Sequence, residues 1–132
     1  MEHSIVLKKA QIIKSINFSF QKYKRQWEAS FYKKDVIYMT MFNEMLFCET
    51  HGIYPPQAEK IFNELTKLHF GYTVEEINDL TQKLAENNIR EAHNMPKINI
   101  ITEQEMYAIV EYHKYLFADI PTKNEHPFKN II

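Results

Sequence analysis

Residues 5–32 read IVLKKAQIIKSINFSFQKYKRQWEASFY. At 100° per residue, Ile5, Ile12, Ile13, Ile16, Phe20, Tyr23, Trp27 and Phe31 fall on one side, and Lys8, Lys14, Lys22, Arg25 and Lys33 on the other. The stretch reads as a long amphipathic helix with Ser4 as its N-cap. Its residues would extend about 42 Å, with a bend or break expected around Ser15–Ser19, where helix propensity is lower.

The same segment separates charge. The first 34 residues carry eight Lys and Arg against two Glu, whereas the remainder carries eight against fifteen Asp and Glu. The net charge of −1 is thus +6 on the opening segment set against −7 on the rest. A cationic, aromatic-studded rod is expected either to grip an anionic partner or to dock on the acidic body of its own chain.

Downstream, the punctuation is helical. Asp35 is placed to cap a helix over about 36–51, with Gly52 just past its end. Val36, Ile37, Tyr38, Met39, Met41, Phe42, Met45, Leu46, Phe47 and Cys48 cover nearly all of its circumference, which predicts a central position. Pro55 and Pro56 open a third helix, where a missing N–H costs nothing. Ala58, Ile61, Phe62, Leu65 and Leu68 form its stripe, and Gly71 ends it. Thr73 through Glu76 is a capping box for a fourth helix with Ile77, Leu80 and Leu84 inward, weakening near Asn87 and Asn88. After Pro96, residues 97–101 read as extended, with Ile98 and Ile100 alternating. A second capping box, Thr102 through Glu105, starts a fifth helix to about Ala118, burying Met106, Ile109, Val110, Leu116 and either His113 or Phe117. The expectation is all-α: roughly a five-helix bundle with a central apolar helix, one domain over 1–118, and an irregular tail over 119–132.

Composition narrows the function classes. Hydrophobic residues are 45% and charged residues 25%, a globular balance; with two glycines the chain lacks the regular turn signals of a sandwich or barrel. The one cysteine, Cys48, rules out an internal disulfide and fits a reducing compartment. No uninterrupted apolar leader follows Met1, and no run approaches the ~18 apolar residues of a membrane span, so a cytoplasmic protein is expected.

Motifs for chemistry are sparse. The string Phe70 through Ile77 resembles the start of the corresponding helix in MerR-type regulators, which implies DNA contact by that element. Its first turn, however, offers phosphates Glu75, Glu76 and Asp79, and carboxylates there oppose binding. Glu49-x-His51, Glu91-x-His93 and Glu111-x-His113 place their side chains about 200° apart, not on one helix face as metal ligands must be. Cys48 and His51 have workable i,i+3 spacing, but that is half a zinc site. Among Met and Phe, the Cys48 thiol is expected to be buried and protonated. No phosphate loop or dinucleotide motif occurs. The sequence therefore points to no enzyme, no metal and no cofactor.

What remains is binding. The leading expectation is a small regulatory or adaptor protein that meets a protein partner, or a second copy of itself, through Lys14, Lys22, Arg25 and Trp27 of the first helix and Phe128, Ile131 and Ile132 of the tail. Nucleic acid is disfavoured. The alternative is a helical sensor holding an apolar small molecule among Met39, Phe42, Met45 and Phe62. Glu44, inside the bundle, calls for a partner, with Lys24 or Lys34 the expected cation.

Overall fold

Five helices account for the described chain: α1 (Glu2–Ala29), α2 (Lys34–Thr50), α3 (Pro56–Phe70), α4 (Val74–Ala92) and α5 (Glu103–Phe117). A computed structural model describes residues 2–53 and 55–117, with side chains from Lys8 to Ile53 and from Pro55 to Leu116. The all-α class and the helix number agree with the sequence reading, and no strand occurs among the described residues. The expected tail residues Phe128, Ile131 and Ile132 lie outside the described residues. The chain falls into two compact units, one running to Leu65 and the other Thr66–Phe117. α3 contributes to both.

The first unit packs α1, α2 and the opening of α3 on one another. α1 is a single helix without the expected break: Ile12, Ile16 and Phe20 are buried, and Ser15 and Ser19 sit within a seated helix whose packing outweighs their propensity. It begins at Glu2, so Ser4 lies inside its first turn and not at its cap. It also ends earlier than the periodicity implies. Ser30 leaves the helix and its hydroxyl accepts the Lys33 N–H at 2.9 Å, which throws Phe31 outward to 91% exposure instead of adding it to the apolar stripe.

α2 starts at Lys34, so Asp35 is in its first turn and not at the cap, where its charge still meets the positive end of the helix dipole. The C-terminus closes as a Schellman turn. Gly52 takes φ 67° and donates to Glu49 O at 3.2 Å, while Ile53 donates to Cys48 O at 2.8 Å and is itself buried. Tyr38, Met41, Phe42, Met45 and Cys48 face inward. The Phe62 ring of α3 lies 5.9 Å from Tyr38 and 5.7 Å from Phe42, so α2 meets α3 as well as α1. Val36, expected within the apolar circumference, is exposed.

α3 starts at Pro56 as expected. With Pro55 and Pro56 at its start, a local side-chain cap is missing, and α1 supplies one: the Ala58 N–H donates to Asn17 Oδ1 at 2.9 Å. Replacing Asn17 by Ala should lower stability by about 1 kcal/mol, the ordinary loss for an N-cap oxygen. Asp at position 17 should retain most of it. Chemical denaturation of the two variants checks both values. Leu68 of the expected stripe is exposed, and Thr66 and Phe70 are buried in its stead.

In the second unit, Phe70 packs edge-on to Tyr112 and Tyr115, with ring centroids 6.0 and 5.9 Å away. That contact sets the rotation of α5. Ala108, Ile109, Tyr112 and Tyr115 are its buried residues, whereas Met106 and Val110 of the expected stripe are exposed. The helix is turned by nearly a third of its circumference from the expected face, because apolar residues surround it and the aromatic contact decides. Gly71 ends α3 at φ 86°. Both capping boxes form: Thr73 exchanges bonds with Glu76, and Thr102 with Glu105, each pair at 2.8–3.1 Å. The Thr73 and Thr102 backbone N–H groups hold the Glu76 and Glu105 carboxyls below the usual glutamate range.

α4 does not weaken at Asn87 and Asn88. It continues to Ala92 and closes on Asn94, which takes φ 58° in the role glycine fills elsewhere; Met95 then donates to Arg90 O at 2.8 Å. Ile77, Leu80 and Asn87 are its buried residues.

Candidate functional site

The first helix can present a defined surface because its rotation is fixed from several sides. Ile12, Ile16 and Phe20 are buried, Asn17 is tied to α3, and the Tyr23 hydroxyl donates to Glu44 Oε1 of α2 at 2.9 Å. Burial first, then the Glu44 charge, pushes the Tyr23 hydroxyl's pKa up, so it remains the donor in this pair. Glu44 thus meets a phenol where a lysine was expected. Lys24 instead reaches Glu64 of α3 at 2.8 Å, and Lys34 lies over the Trp27 ring, 4.2 Å from its centroid. The bond to Glu64 raises the pKa of Lys24 and lowers that of Glu64. Both are partly open to solvent, so the pair orients more than it stabilises.

With that side fixed, the opposite side must face outward. Lys8, Lys14, Lys22 and Arg25 are all exposed. At their centre is Phe18, 66% exposed, four residues from Lys14 and from Lys22 and seven from Arg25. These offsets put the four side chains on one helix face. Phe18 was not among the residues the periodicity singled out. Its angle on the helical wheel, among the cations and opposite Ile12, Ile16 and Phe20, is the signal that identifies it. Trp27, by contrast, falls on the core side, half-buried under Lys34.

One edge of this face borders a cleft of about 310 Å³ between α1 and α3. Arg25, Lys24 and Lys60 line it together with Glu28, Glu64 and the amides of Gln21 and Gln57. Its lining is polar and of mixed charge, suited to salt bridges and amide contacts with a partner's side chains.

The remaining candidates are placed as follows. Phe42, Met45 and Phe62 are buried and Met39 is half-buried, and the Phe42 and Phe62 rings meet at 5.7 Å between α2 and α3. Cys48 is buried, and desolvation, then the Glu44 and Glu49 charges, pushes its thiol up to about 12, which leaves it protonated at neutral pH. His51 Nδ1–H donates to Phe47 O at 2.9 Å, and His113 Nδ1–H to Ile109 O at 2.7 Å, each within its own helix. Among the described residues no three His, Cys, Asp or Glu side chains converge on a point that could hold a metal ion. No helix among the described residues is long and apolar enough to cross a membrane. No protein-family model, curated protein or solved structure matches this chain.

Proposed function

We propose that this chain is a non-enzymatic interaction protein that docks an acidic protein surface on the exposed face of α1. The observation that carries the reading is Phe18: a large apolar side chain left in water at the centre of Lys14, Lys22 and Arg25, on a helix whose other side buries Ile12, Ile16 and Phe20. Binding energy at protein interfaces concentrates in a central aromatic or arginine anchor inside a polar rim. Surrounding cations add on-rate and selectivity for a negative partner more than affinity. The cleft beside Arg25 would receive polar side chains at the edge of such a contact.

Selection of displayed acidic peptides on the full chain, followed by affinity measurement, tests the proposal. Phe18→Ala should weaken the selected peptides at least tenfold, about 1.4 kcal/mol, while leaving the melting temperature unchanged. The double reversal Lys14→Glu with Lys22→Glu should abolish selection, and affinity for the parent should fall with added salt. Peptides that bind equally well to all three proteins would refute this docking face.

A further inference from the structure

The segment between α4 and α5 is bonded along the edge that faces α4. The buried Asn87 side chain donates from Nδ2 to Asn99 O at 2.8 Å and accepts the Asn99 N–H at Oδ1 at 3.0 Å. Asn99 Nδ2 donates to Lys83 O at 3.2 Å, and Arg90 Nε donates to Pro96 O at 2.8 Å. A residue whose N–H and C=O both reach one flat amide is extended, and in an extended chain the polar groups of its two neighbours point the opposite way. Those of Ile98 and Ile100 therefore point away from α4. Among the described residues they have no hydrogen-bond partner. Ile98 is 54% exposed and Ile100 94%. An open backbone edge with apolar side chains is a template for another strand unless it is charged, covered or bulged.

We infer that residues 97–101 pair antiparallel with the same residues of a second copy of this chain. The choice of a second copy follows from register. Antiparallel strands alternate pairs that exchange both backbone bonds with pairs that exchange none. Centred on Asn99, Ile98 faces Ile100 of the second copy and Ile100 faces its Ile98, so all four free N–H and all four free C=O groups would be used. Asn99 faces Asn99 in the pair that exchanges none, and its polar groups stay with Asn87. Neighbouring registers fail. A slip in one direction sets Ile100 against Pro96, which has no N–H and whose carbonyl already accepts from Arg90. A slip in the other sets Ile98 against Thr102, whose N–H is bonded to Glu105 at 2.8 Å. A shift of a single residue faces these free groups with the occupied ones of Asn99. The segment is thus complementary to itself in one alignment. The Ile98–Ile100 cross-strand pairs would cover each other's exposed apolar surface. This inference is independent of the α1 face.

Sedimentation of the full chain from 1 to 200 µM, together with amide hydrogen exchange, tests it. The expected result is a concentration-dependent rise from 15.9 kDa toward twice that mass, with exchange at Ile98 and Ile100 slowed at the high concentration. Ile100→Pro removes one outward N–H and still favours an extended Asn99. It should weaken dimerisation at least tenfold with helix content unchanged. Ile100→Lys, which keeps the N–H but brings like charge and no apolar cover, should weaken it too. A chain that stays at 15.9 kDa throughout would overturn the inference, as would a dimer indifferent to Ile100→Pro. Binding of unrelated extended peptides to this edge by a chain that stays monomeric would overturn the assignment to a second copy.

Discussion

Phe20→Ala is expected to lower the unfolding free energy by about 3–5 kcal/mol, a large part of the 5–15 kcal/mol usual for a domain. Phe20 is fully buried, its ring edge-on to Tyr23 at 6.1 Å, and it sits one turn from the equally buried Ile16. Truncation removes the transfer energy of the ring and opens a void that the helices of the first unit cannot fill without moving α1. Phe18→Ala is the internal control: the same residue type on the same helix, two positions away and exposed, should change stability by no more than about 0.5 kcal/mol. Denaturant titrations of the pair report the difference directly. Equal losses would mean that α1 is not seated on Ile12, Ile16 and Phe20, and the identity of its outward face would fall with that. Phe20→Leu should cost much less than the alanine variant because it keeps most of the volume.

This contrast also shows how far the sequence could be read. The buried stripe of α1 follows from period alone, since Ile12, Ile16 and Phe20 recur at four-residue steps. Several helix ends follow from local chemistry: Gly52, Gly71 and the two capping boxes act through bonds within a few residues of themselves. Features decided by a partner distant in sequence were not legible. Apolar residues surround α5, so its buried side depends on where Phe70 lies. Thr66 is buried and Leu68 exposed on the last turns of α3, which belong to the second unit. Charge told where cations gather but not how each pairs. Tyr23 took Glu44, and the two lysines expected there went to Glu64 and Trp27. The candidate site was legible in its cations and missed in Phe18, whose significance lies in exposure, a property that requires knowing which face is covered.

Asn87→Ala carries the other large expected effect, about 2–3 kcal/mol. By propensity Asn87 marks a weak point in α4, and alanine there should help the helix by several tenths of a kcal/mol. The fold reverses that sign. The Asn87 amide is 4% exposed and is the group that satisfies both the N–H and the C=O of Asn99. Without it two partly buried backbone groups lose their partner, at about 1–3 kcal/mol for each such group where water does not replace it. Asn88→Ala, at the exposed neighbouring position, isolates the propensity term and should be neutral or slightly stabilising. Asn87→Asp separates the two bonds: a carboxylate still accepts the Asn99 N–H but opposes its carbonyl, so an intermediate or larger loss is expected. Hydrogen exchange at the Asn99 amide locates the effect, and it should accelerate strongly in Asn87→Ala while the amides of α1 keep their protection. If Asn87→Ala proves as harmless as Asn88→Ala, the Pro96–Ile101 segment is not held by α4. The outward edge of Ile98 and Ile100 then has no fixed direction, because a strand template requires its opposite side to be anchored.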